Sequence, residues 1–204
     1  MAHAALRLIL LPTFLLALAA LLSGCDAGPG KPAFKAIDIT GAEYARDFNL
    51  PDAEGRVRTL ADFKGKVTVV FFGYTQCPDV CPTTMVELAQ VKQALGADGA
   101  RVQGIFVSVD PERDTAEVLK AYVTNFSPDF VALRGTPEET AVLAKQFKVF
   151  YSKVPGPTPT SYTIDHTAGS YVYDAQGKLR LFTRYGSGAE ALTHDLKLLL
   201  AQPG

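Results

Sequence analysis

The stretch that decides the fold is residues 67–82, VTVVFFGYTQCPDVCP. It opens with a run of strand-forming, mostly apolar residues, which is typical of a strand buried on both faces of a sheet. Cys77 follows this strand, and Cys81 lies near the start of a segment with helical spacing. Because proline has no N–H, we expect Pro82 at the first helical position and Cys81 at the N-cap. Both sulfurs would then lie beyond the carboxyl end of a buried strand, where ligand sites of open α/β sheets gather.

Strands and helices alternate along the rest of the chain. Apolar runs predict strands at residues 102–109, 130–133, 149–151, 170–174 and 178–183, and helical spacing predicts helices at 82–95, 115–126, 136–147 and 189–200. An N-terminal β-hairpin extension is predicted around residues 51–55, and a loop at the proline-rich residues 152–160. Asp114 is the expected N-cap of the second helix. The alternation predicts an α/β fold in which helices flank a central mixed sheet.

The chain begins with a pattern typical of a bacterial lipoprotein signal. Residues 8–22 are apolar, but this run is short for a membrane span of about 20 residues, and LSGC at residues 22–25 closes it. We predict a signal peptide at 1–24, acylation of Cys25, a lipidated N-terminus and linker at 25–33, and one folded domain at 34–204. An uncleaved helical anchor is the alternative. Both place the domain outside the cytoplasm, and Asp26 resembles an inner-membrane retention signal of some Gram-negative bacteria.

Composition limits the partners of this domain. The 204-residue chain has a formal net charge of −1 and no basic patch, so we do not expect a nucleic-acid partner. We expect a monomer attached to the membrane through its lipid. The three cysteines divide into one lipid site and one close pair in an exported, disulfide-permissive compartment.

Three interpretations of the pair Cys77 and Cys81 are open. A structural disulfide would close a very small loop and would restrict the unfolded chain little. Thiol–disulfide exchange is favoured by the helix N-terminus, which stabilises a thiolate, but three residues rather than the usual two separate these cysteines. Metal binding is the third interpretation, because two thiolates select Cu(I) or zinc over hard cations. Two thiolates alone do not complete the coordination of either metal, so this interpretation requires a third ligand.

The histidines are the candidates for that third ligand. His3 is removed with the signal peptide, and His194 is expected to point away from the buried stripe of the last helix. His166 lies between the proline-rich loop and a strand, at an expected sheet edge, and its imidazole suits both copper and zinc. Asp165 beside it is a candidate to hold the imidazole in place, although the side chain of an adjacent residue often points elsewhere.

Three motifs resemble those of the SCO/SenC family. They are GYTQCPDVCPT at 73–83, VSVDPERD at 107–114, and DHT at 165–167 ahead of Tyr171. The similarity runs in the same order over residues 48–200. The family comprises the copper chaperones of cytochrome c oxidase assembly.

The resemblance implies a thioredoxin-like fold with one copper ion, as Cu(I) or Cu(II), bound by Cys77, Cys81 and His166. It implies delivery of copper to the binuclear copper centre of oxidase subunit II, or reduction of that subunit's cysteines. Another periplasmic copper chaperone or a thiol reductant is a further expected partner. The resemblance also places Asp110, Arg113 and Asp114 near the copper loop, where they would tune the ligands or dock a partner. A local helix cap with an ion pair is the equal alternative.

The alternative function is a thiol–disulfide oxidoreductase of thioredoxin-like type without an essential metal. In that case Cys77 and Cys81 would be the catalytic, redox-active pair. Whether the chain is an enzyme is therefore left open by the sequence.

Overall fold

Residues 33–158 and 160–202 are described in this computed structural model, and they form ten strands and four α-helices. The strands are β1 (Ile37–Asp38), β2 (Leu50–Pro51), β3 (Val57–Arg58), β4 (Val67–Gly73), β5 (Val102–Ser108), β6 (Val131–Leu133), β7 (Tyr151–Pro155), β8 (Tyr162–His166), β9 (Gly169–Tyr173) and β10 (Leu179–Arg184). The α-helices are α1 (Val80–Ala94), α2 (Ala116–Thr124), α3 (Pro137–Phe147) and α4 (Ala189–Leu200), and 3-10 helices cover Leu60–Phe63 and Gly96–Arg101.

The N-terminal predictions fall almost entirely outside these residues. The signal peptide, Cys25 and all of the linker except Ala33 are not among the described residues. Within the described part of the chain, no helix has both the length and the apolar character needed to cross a membrane.

Six strands form the central sheet, in the order β1-β10-β9-β4-β5-β6. β4, β5 and β6 are parallel to one another, whereas β9, β10 and β1 add to the sheet in antiparallel pairs. Every residue of β4 and β5 is buried, as expected for apolar strands covered on both faces. The predicted α/β fold with a central mixed sheet is confirmed.

Local sequence signals account for the best-placed elements. β2 and β3 form the predicted hairpin, in which Gly55 takes a φ of 78°, a conformation that favours glycine. Thr136 and Glu139 form a capping box at the start of α3, with Pro137 at its first position. These short-range signals predict element boundaries well because the groups that make them are adjacent in the chain.

The loop predicted at residues 152–160 is wrong in its first half. β7 pairs with β8 in a separate two-stranded antiparallel sheet, with Tyr151 opposite His166. Most of β7 is exposed, so it lacks the apolar alternation from which a strand is recognised. Pro155 ends this edge strand, where its missing N–H is tolerated.

Candidate metal centre

Three atoms that could bind a metal ion converge beyond the carboxyl end of β4. The sulfurs of Cys77 and Cys81 and a ring nitrogen of His166 all lie within 4.8 Å of one another, and Nε2 of His166 is 3.4 Å from Sγ of Cys81. Cys81 is fully buried, whereas Cys77 and His166 are half-buried. The cluster therefore has one face against the core and one face open to an incoming group.

The start of helix α1 positions the two sulfurs, and it differs from the prediction. The N-cap is Asp79 rather than Cys81, so Pro82 is the third helical residue rather than the first. Proline is tolerated there because the first N–H groups of a helix have no acceptor within the helix. The shift places Cys81 in the first turn, where its N–H donates to Sγ of Cys77 at 3.4 Å.

Gly73, the last residue of β4, allows the sulfur of Cys81 to lie against the strand. A Cβ at this position would be 2.8 Å from Sγ of Cys81 and from the Phe71 ring, and 3.0 Å from the Phe106 ring. The close approach of sulfur to backbone therefore requires glycine. Sequence reasoning assigned no role to Gly73, although a glycine ending an apolar strand is a signal of close approach.

The two thiols have opposite acidities. A hydrogen bond from the Cys81 thiol lowers the pKa of Cys77 to about 5, assisted by the backbone N–H groups of Asp79 and Cys81 and opposed by burial. The same interaction with Cys77, together with burial, raises the pKa of Cys81 far above its ordinary range. At neutral pH the accessible sulfur is thus a thiolate and the buried sulfur keeps its proton.

His166 is the last residue of β8, and its ring is held edge-on between two aromatic side chains. The ring centroids of Phe71 and Tyr74 lie 5.8 and 6.1 Å away. Nδ1 is 3.1 Å from the carbonyl oxygen of Thr167. Because a carbonyl only accepts, Nδ1 is the donor in this contact, and Nε2 is the ring nitrogen that faces the sulfurs.

Asp165 does not take the role predicted for it. Its side chain is exposed, and the alternation along β8 directs it to the face opposite His166. The imidazole nitrogen that a carboxylate would hold contacts Thr167 instead. His194 lies on α4 with Nδ1 2.8 Å from Asp195, outside the cluster, as expected.

Asp110 reaches the site through a neighbour. It is 1% exposed, and it accepts hydrogen bonds from the Tyr162 hydroxyl at 2.7 Å and from Nε of Arg113. Tyr162 is the first residue of β8, the strand that ends in His166. Asp110 therefore supports the strand that bears the imidazole and does not touch the ring.

Asp114 lies beside the loop before Cys77 and does not cap α2. Thr115, not Asp114, caps α2, since its side chain accepts the N–H of Val118. Asp114 is completely buried and accepts hydrogen bonds from the Thr75 hydroxyl and the Ser108 hydroxyl, both at 2.6 Å. Burial raises the pKa of this carboxyl, and the hydrogen bonds partly offset the increase. Asp114 thus anchors the loop that leads to Cys77.

The fold and the site together define a class of protein. A mixed sheet with a cysteine pair between a buried parallel strand and a helix is the thioredoxin-like arrangement, here joined by a histidine. Residues 38–201 match the sequence model of the SCO1/SenC family, and the chain belongs to that family. The resemblance seen in the three motifs is confirmed.

Known relatives agree with this assignment. The mitochondrial SCO2 homolog protein of Bos taurus is 38% identical over 160 residues, which are 76% of this chain and 59% of the bovine protein. The structure of Bradyrhizobium japonicum ScoI with copper bound is 42% identical, with a TM-score of 0.68 over 76% of this chain and 98% of that one. The solution structure of apo Sco1 from Thermus thermophilus is 38% identical, with a TM-score of 0.73 over 84% of this chain and 100% of that one.

Proposed function

We propose that this chain is a copper chaperone whose cargo is one copper ion held by Cys77, Cys81 and His166. The observation that carries the proposal is the convergence of two sulfurs and one imidazole within 4.8 Å. Thiolates favour Cu(I), and imidazole accepts either oxidation state of copper. The copper-bound structure of ScoI, a relative of this chain, supports copper as the cargo rather than zinc.

The acid–base state of the cluster fits a cation as cargo. The lowered pKa of Cys77 supplies a thiolate at neutral pH, and a bound cation would release the proton that Cys81 retains. Nε2 of His166 faces the sulfurs, and in a neutral imidazole with the proton on Nδ1 its lone pair is available to a cation. The half-buried side chains leave an open side, and transfer requires such a side so that a ligand from the receiving protein can enter.

Delivery to the binuclear copper centre of cytochrome c oxidase subunit II is the proposed task of the carrier. We place the chain at the periplasmic side of the inner membrane, as a monomer attached by a lipid on Cys25. Another periplasmic chaperone would supply the copper, and a thiol reductant would keep the cysteines reduced. The family resemblance supports this role, and so does the mitochondrial location of a relative, because mitochondria have a membrane that contains the oxidase.

The ligand assignment is tested by metal titration of the full chain. Apo-protein is mixed with one equivalent of Cu(I) or Cu(II), and the experiment is repeated with His166→Ala. His194→Ala is the matched control, because His194 lies outside the cluster on α4. We expect His166→Ala alone to weaken copper binding and to change the Cu(II) spectrum. Unchanged affinity and spectra in His166→Ala would refute the assignment.

The cellular role is tested separately. Deletion of the gene is expected to lower the copper content of the oxidase, with partial recovery when copper is added to the medium. A Cys25→Ala variant is expected to leave the membrane fraction. Normal oxidase copper in the deletion strain would contradict delivery, even if the purified protein binds copper.

A second function is favoured by the contrast between the two thiols. The half-buried Cys77 thiolate is placed to attack a disulfide of a partner protein and form a mixed disulfide. Cys81 would then lose its proton, attack Sγ of Cys77, and release the partner as a dithiol, leaving a Cys77–Cys81 disulfide. This reductase activity requires no imidazole ligand, so turnover of a subunit II disulfide that survives His166→Ala would favour it over copper delivery.

A further inference from the structure

The hairpin that carries His166 has few stabilising contacts within itself. β7 and β8, together called the histidine hairpin, pair only with each other and do not join the central sheet. Four of the five residues of β7 are exposed. An isolated two-stranded hairpin is marginally stable in water. The position of His166 therefore depends on contacts that reach the hairpin from other parts of the fold.

In the middle of β8, Ile164 is buried in the core and its N–H donates to the Tyr74 hydroxyl at 3.1 Å. At the start of β8, the contacts come from Arg113. Its Nη1 donates to the carbonyl oxygen of Tyr162 at 2.9 Å, and its guanidinium carbon lies 3.5 Å from the centre of the Tyr162 ring. Its Nε donates to Asp110, which also accepts the Tyr162 hydroxyl. Arg113 and Asp110 thus hold the backbone, the ring and the hydroxyl of the first residue of β8.

The same guanidinium also reaches the cysteine loop, residues 74–81, which carries Cys77 and Cys81. Nη1 of Arg113 donates to the side-chain oxygen of Gln76, the residue before Cys77, at 3.1 Å. Arg113 therefore contacts both segments that carry the ligand cluster while contributing no ligand itself.

The hydrogen bonds of Arg113 and Asp110 to Tyr162 are part-buried, whereas the Arg113–Gln76 hydrogen bond and the Lys153–Glu112 pair of the hairpin are exposed. The side chains of Arg113 and Asp110 are 20% and 1% exposed, whereas the Lys153–Glu112 pair is 50% and 58% exposed. Exposed ion pairs contribute little to stability, and charge-assisted hydrogen bonds away from water contribute more. Nη2 of Arg113 is also buried and has no partner among the described residues, so the remaining contacts must hold the guanidinium in place.

We propose that Arg113 is a positioning residue, which sets the place of the His166 imidazole relative to the two sulfurs by joining the histidine hairpin to the cysteine loop. The consequence for copper rests on the proposed function, whereas the mechanical link does not. Loss of the link would let the hairpin open more often and would lower the fraction of molecules in which all three ligands converge.

The test compares two arginines in the full chain. Arg113→Met removes the link, and Arg180→Met is the matched control. Arg180 also pairs with a buried carboxylate, Asp174, at 3.1 Å with side chains 15% and 4% exposed, but at the far end of β9 from His166. The first readout is amide hydrogen exchange of β7 and β8 in metal-free protein. We expect exchange at least about tenfold faster in Arg113→Met, as for the loss of a charge-assisted hydrogen bond, and unchanged in Arg180→Met.

The second readout is Cu(I) affinity, measured by competition with a chelator. We expect Arg113→Met to bind about 10- to 100-fold more weakly, and Arg180→Met to bind as the unaltered protein does. Arg113→Lys keeps the charge beside Asp110 but loses the planar fork, so it should recover only part of the affinity.

The two proposals fail in different ways. Hairpin exchange that is unchanged in Arg113→Met, or that is equally fast in Arg180→Met, overturns the positioning role. An unaltered protein that binds no copper overturns the proposed function and leaves the exchange comparison valid. If Arg113→Met does not fold, Arg113→Lys replaces it in the exchange experiment, because it keeps the charge beside Asp110 but loses the planar fork that reaches Tyr162 and Gln76. Unchanged hairpin exchange in Arg113→Lys would then overturn the positioning role.

Discussion

The cysteine loop and the histidine hairpin hold their ligands in opposite ways. The loop connects β4, whose seven residues are all buried, to the first turn of α1. The hairpin is paired only with itself and is largely exposed on β7. Two candidate ligands therefore lie between a core strand and its helix. The third lies on a peripheral hairpin, which packs on the core through Ile164 and is also held by polar contacts of Tyr162 with Arg113 and Asp110. In a copper carrier, the ligands near the core would hold the ion tightly, and movement of the hairpin would open the site to an incoming ligand.

The largest expected effect on copper binding comes from removing a sulfur of the cysteine loop. Cys77→Ala should weaken Cu(I) binding by more than about 100-fold, because loss of groups that merely orient ligands already costs about 10- to 100-fold. His166→Ala should cost less, since both thiolates remain. Competition with a chelator measures the loss of Cu(I) affinity in each of the two variants. A larger loss in His166→Ala than in Cys77→Ala would break the comparison.

The next effect tests how firmly the core holds the Cys81 sulfur. Gly73→Ala should destabilise the protein by about 1–3 kcal/mol, as overpacking of a core does, and should also displace that sulfur. Gly104→Ala on β5 is the control, because its Cβ would meet Phe130 at 2.6 Å and Leu88 at 2.9 Å but no sulfur. Urea unfolding should show a loss of stability in both variants, and copper binding should fall only in Gly73→Ala. Equal copper affinity in the two variants would contradict the role of Gly73.

The acidity of the cysteine loop gives a pH-dependent prediction. Because the pKa of Cys77 is about 5, its alkylation by iodoacetamide in the apo-protein should be half-maximal near pH 5 and nearly constant between pH 7 and 8. The alkylation rate of an ordinary free cysteine, with a pKa near 8.5, would instead keep rising between pH 7 and pH 8. Cys81→Ala removes the leading cause of the shift, so the midpoint should rise in that variant. A midpoint above pH 8 in the unaltered protein would contradict the thiolate assignment.

The same pKa shift has a consequence for folding. Between about pH 5 and the ordinary thiol value, unfolded chains carry a proton on Cys77 that folded chains lack. This thiol therefore adds stability as the pH rises through that interval, and the contribution is lost as the pH falls through about 5. Urea unfolding of the apo-protein compared with Cys77→Ala at pH 5 and pH 7.5 should show the larger difference at pH 7.5.

The smallest effect is expected at Asp165. This side chain is exposed and faces away from the imidazole, so Asp165→Asn should change stability by less than about 0.5 kcal/mol. Copper affinity should stay within about twofold, since no contact that orients the ring is lost. A tenfold loss in the same competition assay would restore the role that the sequence predicted for this residue.

Much of the architecture follows from local patterns. The apolar run at 67–73 predicts a central strand, and the capping box at Thr136 predicts the start of α3. Cys77 and Cys81 are recognisable as one site because they lie four residues apart next to that strand. The exposed strand β7 was not recognisable, because without a buried face it has no periodic signal.

The sequence by itself determined the mixed α/β architecture, the cysteine pair at its rim and, through three motifs, the family. Only the tertiary structure decided which side chains support the ligands. Asp114 meets Thr75 across 39 positions of chain, Tyr162 meets Asp110 across 52, and His166 meets Cys81 across 85. The physical reason is that helix and strand signals depend on neighbours within a few residues. Long-range hydrogen bonds depend on how all the elements pack together, and no local pattern contains that information.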